Sequence, residues 1–353
     1  MKVLYVARKN LGVNLFMTPL WKHLAFKYDM VYLGPIDHFP ILKDYNFFTK
    51  FIVGCEHPSR LTSKLSQSSL DEILKEFKIT EEYYMLYDSD DAIVFLNNHP
   101  ELKHIKPHPS ILSRQEMNLK YNKFSDFFVV GESREAFLKL QLLDLSQMEN
   151  FDFSIKIPFQ TENRKTDTII VYQGSKDRWR RLSNSTLLKF AKKLPNATFF
   201  ISKSAIKFFH NNNVAVKYIL TDPTTPSRLY DVIELFKSNP RAMIGPDSGL
   251  TQLALACGIP QIWLQSRIRP ENAIDPFYFD KIHIYFRKNI NCNKDCIGCA
   301  ITSQYSSLNK APFLLKVPFT EYSDLTCGVT GTPSCLDYTE DEVDEIISMI
   351  KKV

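Results

Sequence analysis

Apolar positions along the chain fall into short runs separated by stretches with helical spacing. In the N-terminal part, residues 3–7, 30–33, 92–96 and 127–130 read as strands and residues 15–27 as a helix. Strand-length runs that alternate with helix-length segments predict a mostly parallel α/β sheet. A polar stretch at 160–167, QTENRKTD, has the composition of a linker and divides the chain into 1–160 and 161–353. Beyond it the alternation resumes, with strands expected at 168–172, 197–202, 216–220, 242–245 and 261–264, and helices at 185–193, 227–237 and 248–257. A closing helix at 343–350 follows Thr339, an N-cap residue, and the acidic turn Glu340-Asp341-Glu342, which suits a helix N-terminus. The fold class predicted is α/β, with two Rossmann-like doubly wound domains.

Composition bears on class more than on fold. With 353 residues, 44% of them hydrophobic, the chain is long enough for two buried cores. Lys and Arg number 44 against 39 Asp and Glu, a formal charge of +5. That balance excludes a dedicated nucleic-acid coat and is compatible with an anionic ligand. The opening MKVLYVARKN reaches Arg8 without the apolar core of a signal peptide, and no apolar run is long enough to span a bilayer. A cytoplasmic protein is expected, with contact at most peripheral to the inner face of a membrane.

Ligands of open α/β sheets sit beyond the carboxyl ends of the strands, so candidate residues are sought there. After the strand at 242–245 come Pro246, Asp247, Ser248 and Gly249, which open a helix containing Gln252. A helix N-terminus offers unpaired N–H groups and partial positive charge to a phosphate, and Gly249 permits close approach. Asp247 or Ser248 would serve equally well as a simple helix cap. The strand at 168–172 runs into Gly174, Ser175, Lys176 and Arg178, a glycine turn followed by cations, which reads either as a second anion site or as a solvated basic loop. No Walker or dinucleotide glycine motif is present.

These segments resemble the ADP-heptose:lipopolysaccharide heptosyltransferase family. Leu11-Gly12 with Thr18-Pro19-Leu20 resembles its N-terminal turn and helix, and Gly174-Ser175 with Arg178-Trp179 its basic loop. Asp247-Ser248-Gly249 resembles its D-[TS]-G element, and Cys335-Leu336 before Glu342-Val343 its ending. The resemblance implies a GT-B fold, two Rossmann-like domains facing a central cleft, with the acceptor on the first and a nucleotide sugar on the second. It also implies transfer with inversion from a nucleoside diphosphate sugar, without a metal needed for catalysis. The donor residues expected are Gly174, Ser175, Lys176, Arg178, Asp247, Ser248, Gly249, Gln252 and Arg267, and the acceptor residues expected are Asn14 and His108. The chain departs from the family where Val13 replaces the aspartate taken as general base, where Gln252 replaces a histidine, and in the loop Gln265–Arg269.

An inverting transfer needs a group that takes the acceptor's proton, usually a carboxylate or histidine. Asp88, Asp90 and Asp91 precede the strand expected at 92–96 and read as a polar turn at its wrong end. Asp37, His38, His99 and Glu132 follow strands, and Asp37 and His99 are the expected catalytic pair. Cys292, Cys296 and Cys299 have C-x3-C-x2-C spacing, and with Cys335 or Cys327 they suit a structural zinc or a set of unliganded thiols. The acceptor expected is a lipopolysaccharide core sugar. A hydroxymethylated base in DNA, as phage-type DNA glycosyltransferases use, and an inactive nucleotide-binding GT-B protein are the alternatives.

Overall fold

The structure, a computed structural model, describes residues 1–7, 14–15, 17–55, 65–79, 83–86, 95–112, 116, 120, 127–129, 132–144, 147–174, 181–221, 227–246, 248–264, 278, 282–285, 314–316 and 336–352. It divides into two compact units, Met1–Pro158 with Pro223–Pro226, and Phe159–Asp222 with Ser227–Val353.

In the first unit β1 (Lys2–Val6), β2 (Asp29–Pro35), β3 (Lys50–Cys55), β4 (Tyr83–Leu86) and β5 (Ile105–Pro107) form a sheet of order β3-β2-β1-β4-β5. Every pairing is parallel. Both faces are covered, which is why β1 and β2 are nearly continuous apolar runs. Leu4, Val6, Val31, Leu33 and Ile52 pack with Leu70, Ile73 and Phe77 from α3 (Gln67–Glu76) and its end. Between them in the period-two pleat, Tyr5 and Tyr32 turn to an aromatic group with Trp21 and Phe48. Trp21 belongs to α1 (Thr18–Ala25), which opens with Pro19 in its first turn; a short α2 (Phe39–Leu42) follows β2. The unit also holds β6 (Phe127–Val129) and α4 (Glu132–Lys139).

One strand expected from the sequence is displaced. Residues 95–98 are helical, and the strand of that region is β4, so Asp88, Asp90 and Asp91 follow a strand instead of preceding one. The short run YYML, with its aromatic side chains, was the stronger strand signal. The acidic residues themselves lie outside the described residues. β5 and α3 also escape the apolar-run pattern, because exposed polar residues interrupt them, and the apolar run of β3, KFIVGC, was passed over.

The second unit carries β7 (Thr166–Tyr172), β8 (Thr198–Ile201), β9 (Lys217–Leu220), β10 (Pro240–Gly245), β11 (Gln261–Leu264) and β12 (Ile282–Tyr285), in the order β12-β11-β10-β7-β8-β9. All are parallel. The helices are α5 (Asn184–Lys193), α6 (Lys203–Asn211), α7 (Ser227–Lys237), α8 (Gly249–Ala256) and α9 (Glu340–Met349). Thr339 caps α9 in a capping box with Glu342, as its sequence implies. Val343, Ile346 and Ile350 then close the core formed by Val171, Leu187, Phe190 and Ile244. Just before α9, Asp337 accepts from the hydroxyls of Ser183 and Ser185 at 2.7 and 2.5 Å, so the chain's last segment is fastened to the start of α5.

Candidate functional site

Both sheets are built outward from their first strand in one direction, after which the chain crosses back and builds the other way. In the second unit the reversal falls between β7 and β10. Loops leaving two neighbouring strands there diverge to opposite faces, and the crevice between them is where an open α/β sheet takes its ligand. The two anion-friendly turns of the sequence, after β7 and after β10, are therefore neighbours across this point.

The strands approach each other closely at this end. A Cβ on Gly245 would fall 2.9 Å from Tyr172 Cβ and 3.1 Å from the Tyr172 carbonyl oxygen. After β7, Gly174 has φ of 109°, the left-handed region that glycine adopts without penalty, and forms an antiparallel bridge with Arg181. The loop is thus closed at its base, and Arg181 Nε is buried there without a hydrogen-bond partner. Ser175, Lys176 and Arg178 lie outside the described residues.

After β10, Ser248 is the N-cap of α8. Its Oγ accepts from the N–H groups of Leu250 and Thr251 at 3.1 and 3.4 Å, while Thr251 Oγ1 accepts from Ser248 N–H at 2.9 Å. Ser248 therefore does the work of a cap, with its hydroxyl turned to the helix. Gly249 is the first helical residue, and Gln252 is 8% exposed on the first turn. Asp247 lies outside the described residues, as does Arg267.

In the first unit the reversal falls between β1 and β4. Asn14 is fully buried just before α1 and its carbonyl accepts from Met17 N–H. Asp37 stands in a 3-10 turn, Ile36–His38, directly after β2, although its side chain lies outside the described residues. Glu132 opens α4, again with an undescribed side chain. His38 is wholly buried, with Nδ1 at 3.0 Å from Tyr32 Oη and Nε2 without a partner. Burial lowers its pKa to about 3. His99 lies beyond the helical turn at 95–98 on the way to β5, its ring 4.8 Å from that of Phe95, and burial lowers its pKa as well. His108 follows β5; Nε2 meets Tyr28 Oη at 3.1 Å and Nδ1 accepts from Ser110 N–H at 3.2 Å, so both nitrogens are occupied within the unit. Asp37 and His99 thus belong to different connections, one leaving β2 and the other approaching β5.

The whole chain has a match among solved structures. The glycosyl transferase family 9 protein from Veillonella parvula DSM 2008 is 13% identical, with 99% of this chain and 96% of that one covered, at a TM-score of 0.58. The chain has the GT-B fold. E. coli heptosyltransferase WaaC with ADP matches at 11% identity over 80% of this chain and 92% of its own, TM-score 0.53. E. coli ADP-heptose lps heptosyltransferase II matches at 16% identity over 82% and 92%, TM-score 0.50. At such identities the likeness is one of fold. No protein-family model matches the chain, and no curated protein does.

Within this GT-B fold, residues that sequence reasoning passed over are prominent at the second reversal. Gln173 and Gly245 both sit there, and only the strand order brings Gly245 against Tyr172, the residue before Gln173. Among the described residues no three His, Cys, Asp or Glu side chains stand together as a metal site, and no helix is long and apolar enough to cross a membrane. Cys292, Cys296, Cys299, Cys327 and Cys335 lie outside the described residues. Cys257, in contrast, is a buried thiol whose pKa burial pushes up.

Proposed function

We propose that the protein is a glycosyltransferase that takes its sugar from a nucleoside diphosphate donor held by the second unit. The observation that carries this reading is the pair of turns at the β7/β10 reversal: a glycine in the left-handed region on one strand and the N-terminus of α8 on the other. The helix start supplies partial positive charge, Gly249 lets a phosphate oxygen approach the backbone, and the cationic run through Lys176 and Arg178 supplies formal charge. WaaC, which this chain resembles in fold, is described with ADP, and that supports a nucleotide-linked donor.

In the proposed reaction an acceptor hydroxyl attacks the anomeric carbon. The new C–O bond forms as the bond from that carbon to the diphosphate oxygen breaks, and the nucleoside diphosphate leaves with the electron pair. Charge on the leaving group is stabilised by the α8 N-terminus and the Gly174 loop, and the acceptor's proton passes to a carboxylate of the first unit. Asp37, directly after β2, is the first candidate, with Asp88, Asp90 and Asp91 restored as alternatives because they follow β4. The acceptor favoured is a lipopolysaccharide core sugar, and the reaction as proposed needs no metal. Val13, where the resembled family has its base, favours a second reading: a nucleotide-binding protein without transfer activity.

A thermal-shift panel of ADP-, UDP- and GDP-sugars tests the proposal. One nucleotide class should raise the melting temperature, the shift should vanish in Asp247→Ala, and donor turnover should fall at least roughly a hundredfold in the variant lacking the base, among Asp37→Asn, Asp88→Asn, Asp90→Asn and Asp91→Asn. No shift with any nucleotide sinks the donor site. A shift without turnover selects the binding protein.

A further inference from the structure

Gln173 is the last residue before the Gly174 loop and is 2% exposed. A buried glutamine is costly unless its amide is satisfied at both ends, and here it is. Nε2 donates to Asn184 Oδ1 at 3.2 Å, at the start of α5, and Oε1 accepts from Ser202 N–H at 2.9 Å, just past β8. Its main chain is committed as well: its N–H donates to the Phe200 carbonyl at 2.9 Å and its carbonyl accepts from Leu182 N–H at 2.7 Å. One residue therefore joins the end of β7, the end of β8 and the start of α5. It also borders the loop at both sides, preceding Gly174 in sequence and receiving Leu182 from the far end.

We propose that Gln173 is a positioning residue for nucleotide binding: its side-chain amide fixes the end of β7, and with it Gly174, against β8 and the start of α5 before the ligand arrives. The inference rests on the donor site proposed above. Gln173 touches no ligand and acts through the placing of Gly174. The chemistry explains the choice of residue. Leucine at this position would leave Ser202 N–H and Asn184 without their partners. Glutamate would keep the acceptor for Ser202 N–H, and the Asn184 amide can turn to donate to its second oxygen.

Calorimetric titration of the full chain with ADP, UDP and GDP, on wild type and on Gln173→Leu, Gln173→Glu and Asn184→Ala, tests this. Losing the brace should weaken nucleotide binding roughly tenfold in Gln173→Leu, the effect of one or two hydrogen bonds. Gln173→Glu should recover most of that loss, which a merely space-filling role would not produce, and Asn184→Ala should fall between. A folded Gln173→Leu that binds as wild type overturns the inference, as does a Gln173→Glu no better than leucine. Should Gln173→Leu fail to fold, unchanged binding by Asn184→Ala overturns it instead. Wild type that binds none of the three nucleotides overturns both this inference and the donor site beneath it; normal wild-type binding with indifferent variants overturns this one alone.

Discussion

His38 is held neutral by where it sits. Its ring lies in the aromatic interior of the first unit, Nδ1 faces the Tyr32 hydroxyl, and burial brings its pKa from an ordinary 6.5 to about 3. In the unfolded chain the same imidazole takes a proton as the pH falls below its ordinary value, whereas the folded protein refuses it until near the lowered value. Across that window the unfolded state binds more protons, so stability declines with falling pH, by at most about 1.4 kcal/mol per pH unit from this group. Above the ordinary value both states are neutral and the contribution is flat. Urea unfolding near pH 7 and near pH 5 should show wild type losing more stability than His38→Gln between the two conditions. Equal losses would mean the ring is not excluded from protonation. His38 was visible in the sequence only as a residue after a strand; that it points inward is a property of the 3-10 turn, which apolar periodicity does not encode.

At the scale of elements, the decisive contact is between β7 and β10. Gly245 occupies a place where the neighbouring strand leaves no room for a methyl group, the obstacle being backbone and Cβ of Tyr172, which cannot swing aside. Gly245→Ala should destabilise the second unit by about 1–3 kcal/mol, the usual cost of overpacking. It should also weaken nucleotide binding, since the ends of both strands carry the proposed site; unaltered stability and binding would contradict the close approach. The residues that follow these strands were legible beforehand, because glycine turns and helix starts have local signatures. So were β1, β2, β7 and β10, whose burial on both faces makes them continuous apolar runs. Less was legible where an exposed polar residue interrupts a strand, as in Ile105–Pro107, or where aromatic residues form a short one, as in Tyr83–Leu86. The misplaced strand at 92–96 had a chemical consequence. It put Asp88, Asp90 and Asp91 at the wrong end of the sheet, and they return as candidate bases once β4 is seen to precede them.

At the scale of the molecule, two sheets share one plan, five strands in the order β3-β2-β1-β4-β5 and six in the order β12-β11-β10-β7-β8-β9. That plan was not deducible from the run of strands alone. Alternation of strand and helix predicts parallel strands, but their order is decided by which faces the helices cover, a three-dimensional matter. The same order separates neighbours in space from neighbours in sequence. Pro240 pairs with Thr166 across two intervening strands and three helices, so the crevice between β7 and β10 exists only once that distant pairing is complete. Local strand–helix pieces of the second unit can form earlier, at little loop-closure cost; the crevice comes late. A ligand held there has nothing to grip in a half-folded chain. The nucleotide found by the panel should therefore slow unfolding in stopped-flow denaturant jumps while leaving the refolding rate nearly unchanged. Faster refolding in its presence would place the pairing of β7 with β10 before the rate-limiting barrier. On the late-pairing account, the ligand protects the finished protein and does nothing for the nascent one, so the cell must bring this chain to its native state before the nucleotide can lend it any support.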